Sequence, residues 1–455
     1  MRRLIALALP LLLATLVRGH AQPYAISDAP TPLGIRLVHY EMPGEKDQRL
    51  AFFWRDASAY ADPARAALLT LAPNLMVAGG SATLDGGALD EELKDLGAGL
   101  ALRRTPTATL GEVFAIAGRF GEAAALLADV LAEPRLPQRT LTREKNALIA
   151  AQRPSDSQPQ RIATRIALMR MADPHPLLRL AFLDDAEAIA AITTADVDAW
   201  RKQALGRDTL VVVAAGPLRR EVVAVEVDRI FARLPAHVPA STPPPLTPRH
   251  MPLTIAVRRP VEQSLIVMTA PTGWSAGAEG PARALAMAAL GGAQNSRLWV
   301  ALRERLAATY SAWAWIQPLH GPHYRLMLQS SVAHPSVAEA LVAMRGEYHR
   351  FVSDGVTSAE VEPLKQRQIT AHAEQMRNPG AAAGLIRADL LAERPADEAS
   401  RYADSVRTLD AEAVNALIRK HLPAELLTIV VTPVPEAVGA DCIITDLAEL
   451  ARCGE

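Results

Sequence analysis

Two stretches of this chain repeat one plan. Ile192–Pro217, ITTADVDAWRKQALGRDTLVVVAAGP, matches Leu409–Val434, LDAEAVNALIRKHLPAELLTIVVTPV, without a gap. Val197 falls on Val414, Ala199 on Ala416, Trp200 on Leu417, Leu205 on Leu422 and Val213 on Val430. In each copy, apolar residues at helical spacing lead to a break, Gly206 or Pro423, and then to a β-branched run. That pattern is a helix feeding a buried strand. Its recurrence in the same order, each time near the end of a half, marks a duplicated unit. Between the copies, Arg233–Leu253 carries seven prolines. Each proline fixes its own φ and steers its predecessor away from helix, so the segment reads as an extended linker.

A length of 455 residues exceeds what one compact core usually holds, which agrees with two units. Half of the residues are hydrophobic, enough for two ordinary cores. IRLVHYEM and RLAFFWRDAS read as paired strands. PARAALLTLAPNL, started and capped by Asp62 and Pro63, reads as a helix, as do LDEELKDLGA and FGEAAALLADVLAE. In the second half GPARALAMAALG, RLWVALRERLA and HPSVAEALVAMRGEYHRFVSDG read as helices. The expected fold class is α+β: two homologous halves, each an antiparallel sheet with helices packed on one face, joined by the proline-rich linker. The expected boundaries are 25–235 for the first half, 236–252 for the linker, 253–440 for the second half and 441–455 for a tail.

Arg2 and Arg3 precede the apolar run LIALALPLLLATLV, and RGHAQ follows. This reads as a secretory signal over residues 1–21, cut after Ala21, and the run is short for a membrane span. A periplasmic location is the expectation. Without those residues 45 basic side chains face 49 acidic ones, and no basic block remains. That gives no electrostatic case for nucleic acid or an anionic membrane. No second stretch is long and apolar enough to be an integral membrane segment. The only cysteines, Cys442 and Cys453, read as a disulfide closing the tail of an exported chain. A zinc pair is the weaker reading, since two ligands with no histidine nearby cannot make a structural site.

Three further segments carry a family resemblance. LDEELKDLGAGLALRRTPTATLGEVFAIAGRFGEAAALLADVLAEPRL, ADPHP (Ala172–Pro176) and SRLWVALRERLAATYS (Ser296–Ser311) are similar to the pitrilysin/insulinase-type metallopeptidases. The form resembled is the shorter, two-domain one related to mitochondrial processing peptidase subunits, and the similarity covers nearly the whole mature chain. Catalytic members carry His-x-x-Glu-His on a helix of the first half. Histidines four apart share one helix face and reach one Zn²⁺, the Glu acts as base, and a Glu on a later helix completes the ligand set. Aligned through NLMVAGG, these positions hold Leu71, Asn74 and Leu75, with Ala72 and Pro73 between, and TREKNALIAAQ puts Ala151 at the last ligand. Leu and Ala cannot bind zinc, Asn is no base, and an interior proline costs a helix about 3 kcal/mol and bends it. The resemblance therefore implies a fold without its metal site. His320 and His323, in HGPHY, have no flanking carboxylate and read as a turn. Nucleophile-elbow, P-loop and dinucleotide patterns are absent from the sequence.

The same resemblance implies what is kept. In the family, an Arg and a Tyr seven positions apart reach from the second half toward the zinc, to bind substrate carbonyls and to stabilise the oxyanion. The matching residues are Arg303, on a helix that Asn295 or Ser296 would cap, and Tyr310, where the chain enters the next strand. Arg297, Arg305 and Glu304 read as surface charges. The implied function is that of the non-catalytic subunit of an exported heterodimeric zinc metallopeptidase acting on peptides. Zinc would be held by a homologous partner chain, and no cofactor by this one. The alternative is a proteolytically silent peptide-binding or scaffold protein of the cell envelope; a stand-alone hydrolase with relocated chemistry is disfavoured by the missing nucleophiles and ligands.

Overall fold

The β-branched runs of the repeat, Leu210–Gly216 and Leu427–Thr432, each lie inside a six-stranded sheet. The computed structural model describes residues 26–454 except 61–64, 153–157, 184, 275, 276, 293 and 310. The signal over residues 1–21, the Asp62–Pro63 helix start and Tyr310 lie outside the described residues.

The first sheet holds β1 (Ile26–Pro30), β2 (Arg36–Glu41), β3 (Asp47–Arg55), β4 (Gly99–Thr105), β5 (Ala108–Ile116) and β6 (Leu210–Gly216), in the order β1-β2-β6-β3-β5-β4. The second holds β7 (Thr254–Arg258), β8 (Ser264–Thr272), β9 (Ala312–His320), β10 (His323–Val332), β11 (Leu427–Thr432) and β12 (Cys442–Ile444), in the order β12-β7-β11-β8-β10-β9. With β2 matched to β7, β6 to β11, β3 to β8, β5 to β10 and β4 to β9, the two orders coincide. Only the outermost strand, β1 or β12, differs. The fold is α+β in two equivalent halves, as the repeat implies.

Two details depart from the sequence reading. IRLVHYEM and RLAFFWRDAS are not partners: β6 lies between them, parallel to β2 and antiparallel to β3. LVVVAAG is apolar on both faces and needs neighbours on both sides, so it takes an interior slot. The sheets are therefore mixed, with β7 likewise parallel to β11 and β12. The segment expected as a tail also joins the fold, because β12 is the outer strand of the second sheet. Cys442 and Cys453 are disulfide-bonded with Cα atoms 5.5 Å apart, and Cys453 is buried.

One face of the first sheet, with Leu50, Phe52 and Trp54, packs under α1 (Arg65–Gly79), α2 (Phe120–Ala132), α3 (Gln138–Gln152) and the repeat helix α5 (Thr194–Ala204). The equivalent face of the second sheet, with Ile266, Leu326 and Leu328, packs under α6 (Val337–Asp354) and the repeat helix α9 (Ala411–His421). The opposite faces are covered by exchange. Helix α4 (Pro159–Ala172), from the first half, lays Ala163, Ile166 and Ala167 on Val267 and Ile429 of the second sheet. Between α6 and α9 in the chain come α7 (Ser358–Arg377) and α8 (Pro379–Leu391). Helix α8 lays Ala382, Ala383 and Ile386 on Ala51, Phe53 and Val213 of the first sheet. Its sequence explains the fit: Asn378 caps it, Pro379 opens it, and the small residues let it lie close. Arg55 donates to the Leu390 carbonyl (2.8 Å) and Arg387 to the Gly111 carbonyl (3.2 Å), which pins the crossing.

Candidate functional site

Helix α1 carries the five-residue stretch, Leu71–Leu75, where the resemblance puts a metal motif. It runs through Pro73 to Gly79, and Gly80 follows at a φ of +84°, which favours glycine. Leu71 and Leu75 are 4% and 0% exposed and belong to the core that includes Leu127 and Trp200. Asn74 is exposed on the other side, and so is Ala151 near the end of α3. Two of the four positions thus point into the core and two toward solvent. A divalent cation needs convergent lone pairs, and these side chains supply none. Among the described residues no group of three or more His, Cys, Asp or Glu side chains is placed to hold a metal.

The segment carrying Arg303 is built differently. Arg297–Trp299 opens a helix that continues over Val300–Arg305 with π-type turns, a geometry often found at functional sites. Ser296 occupies the cap position, but its hydroxyl makes no capping bond and is buried without a partner, and Asn295 sits at a φ of 67°. The expected side-chain cap is therefore not formed. Arg297 anchors the segment instead. It is not a surface charge: its guanidinium grips both Glu360 oxygens (2.7 and 2.9 Å) and the Gly355 carbonyl (2.6 Å). Burial would raise the Glu360 carboxyl, but Arg297 and the Thr357 capping bonds outweigh it and hold the pKa at about 2. Arg305 lies 3.6 Å from Glu347 and is exposed, as is Glu304. Arg303 is exposed, its guanidinium 5.5 Å from the Trp299 ring centroid. Leu298, Ala301 and Leu302 are buried beneath it.

A third cluster joins the halves. His320, at the β9–β10 turn, donates from Nε2 to the Pro244 carbonyl of the linker (2.7 Å) and accepts at Nδ1 from the Tyr60 hydroxyl (3.0 Å). His175, of the ADPHP segment, donates from Nε2 to the same carbonyl (3.2 Å) while its Nδ1 accepts from the Leu177 amide (3.1 Å). Burial pushes the Tyr60 hydroxyl up to about 12, which keeps it a donor, and lowers the His320 pKa. Both nitrogens of His320 are engaged, so this histidine offers no free imidazole lone pair. Neither this clamp nor the Arg297–Glu360 anchor was legible from spacing, since each joins segments far apart in the chain.

Residues 191–368 match the family model described as Peptidase M16 inactive domain. No curated protein sequence matches. Among solved structures, the peptidase M16 inactive domain from Pseudomonas fluorescens is similar at TM-score 0.81 and 20% identity, over 90% of this chain and 98% of that one. The periplasmic protease PqqL from Escherichia coli is similar at 0.78 and 17%, over 90% of this chain but only 46% of that longer one. A protease from Helicobacter pylori is similar at 0.76 and 13%, over 90% and 100%. The fold is that of the pitrilysin-type (M16) peptidases, as the sequence resemblance implied. Over residues 191–368 the chain is similar to the inactive domain of that class.

Proposed function

We propose that this chain is the non-catalytic subunit of an exported heterodimeric zinc metallopeptidase that degrades peptides. A single contrast carries the reading: Leu71 and Leu75 are consumed by the core, while Arg303 stands exposed on a well-anchored helix. Arg303 would bind substrate carbonyls through its planar, permanently charged fork. Tyr310 would donate its hydroxyl to the oxygen that gains charge as the peptide bond is attacked. The partner, a homologous chain with His-x-x-Glu-His, would hold the zinc. Support comes from the inactive-domain match and from the likeness to a periplasmic protease about twice as long, in which this chain accounts for just under half.

The test is purification of the chain from the envelope of its own cells and, separately, alone. Alone it should hold no near-equimolar zinc by elemental analysis and cleave no peptide. From cells it should co-purify with a homologue carrying the intact motif. Chelator-sensitive cleavage by the chain alone would refute the reading. Isolation with non-peptidase envelope components only would favour the scaffold alternative.

A further inference from the structure

Side chains along β10 alternate between two layers. Leu326 and Leu328 enter the core under the second half's own helices, and Met327 turns to the face that α4 covers. Arg325 lies on that second face, across from Gln317 on β9 and Pro271 on β8. It is 6% exposed, and its Nε and Nη1 are buried without a hydrogen-bond partner. Burial pulls its pKa down to about 10, so it is still a cation at neutral pH. The other deeply buried guanidiniums among the described residues each meet an acceptor: Arg104 on Asp56 (3.2 Å), Arg201 on the Leu131 carbonyl (3.1 Å) and Arg387 on the Gly111 carbonyl (3.2 Å). A buried charge with no compensation is costly, and a fold that keeps one calls for an explanation.

The neighbours supply one. Trp313, Trp315 and Gln317 alternate onto the same face, opposite Gln329, Met327 and Arg325. Trp315 donates its indole N–H to the Gln317 Oε1 (2.9 Å), which leaves the amide NH₂ as the free end of that side chain. Trp313 is 52% exposed at the sheet's edge strand. We propose that Arg325 and Gln317 form a receptor for an organic monocarboxylate, with its apolar body against Trp313 and Trp315. The guanidinium and the amide both donate, which suits an acceptor-only group. One cation balances one negative charge, whereas a phosphoryl group brings about two and would leave an excess. The aromatic flank favours an acid with an apolar body over a small inorganic anion. A peptide's C-terminal carboxylate and an acidic side chain are the two sources of this chemistry. The site lies wholly in this chain and does not rest on pairing with a zinc-bearing partner.

The experiment measures melting temperature and calorimetric binding of the full mature chain with four probes. These are N-acetyl-Ala-Ala-Leu as free acid, its C-terminal amide, N-acetyl-Ala-Glu-Leu amide, and inorganic phosphate. At least one carboxylate probe should bind and raise the melting temperature; which of the two does so identifies the source. The neutral amide and phosphate should bind at least tenfold more weakly. Arg325→Met should raise the melting temperature without ligand, because it removes an unpaired buried charge, and should abolish the carboxylate response. Gln317→Ala should weaken that response severalfold. No response to either carboxylate in the wild type would overturn the proposal, as would equal binding of phosphate or the neutral amide. An Arg325→Met chain that melts lower than wild type, or a Gln317→Ala chain with an unchanged response, would also overturn it.

Discussion

Leu71 and Leu75 lie four positions apart on α1 and are both buried, whereas Asn74 between them is exposed. That arrangement makes a sharp stability forecast. Leu75→Ala should cost about 2–5 kcal/mol, the range for emptying a fully buried leucine site. Asn74→Ala should change stability by no more than about 0.5 kcal/mol, as exposed substitutions do. Urea unfolding of the two variants checks this. Equal effects would mean that the leucines do not serve the core. That these positions lack the motif's zinc ligands is already legible in the sequence. Their orientation was not legible there, because α1 is apolar almost all round and its periodicity does not single out a face.

At the level of elements, the Arg303 helix is held from outside rather than by its own cap. The Ser296 hydroxyl makes no bond, while Arg297 reaches Glu360 at the start of α7. Glu360 also closes a capping box with Thr357, accepting from its amide at 2.8 Å. One carboxylate therefore organises two helix starts. Its pKa is depressed, so this contribution is present above about pH 4.5 and is lost as pH falls toward 2. Arg297→Ala should cost about 2 kcal/mol, the usual worth of hydrogen bonds to a charged group when partly solvated. It should also loosen the helix that presents Arg303, read as faster amide exchange over residues 297–305. Unchanged exchange there would show that the anchor does not position Arg303. The helix and its residues are legible in the sequence, where Arg297 nonetheless reads as a surface charge. The partner lies 63 positions away and only the folded chain brings it near.

Across the whole molecule, the two halves are held together by exchanged helices and by a linker carbonyl shared between His175 and His320. The duplication was legible because its helix and strand recur at fixed spacing. The exchange of α4 and α8 was not, since nothing local says which sheet a small-residue helix will cover. Buried histidines make the assembled fold acid-sensitive. Burial lowers the folded pKa of His39, His320 and His372, while the unfolded value stays near 6.5. Below about pH 6.5 the unfolded chain takes up protons that the folded one refuses, so stability falls with pH. Asp389, raised to about 6 by burial, acts the opposite way as pH drops from 6 toward 4, but it is one group against three. The urea midpoint at pH 5.5 should lie below that at pH 7.5, and His320→Gln should reduce the difference. A midpoint that rises on acidification would contradict this account of the interface.

The proposed division of labour has this chain, whose metal-motif positions hold Leu71, Asn74, Leu75 and Ala151, contribute to catalysis through Arg303 and Tyr310. Turnover of a defined peptide by the complex reconstituted with its zinc-bearing partner tests it most directly. Tyr310→Phe removes one hydroxyl donor and little volume, and should lower kcat by about 10²–10³, as loss of a single oxyanion donor does. Arg303→Ala should mainly raise KM, because its contacts form before as well as during bond breaking. Both variants should assemble with the partner as the wild type does. Full turnover by both assembled variants would contradict the claim and leave this chain as a scaffold.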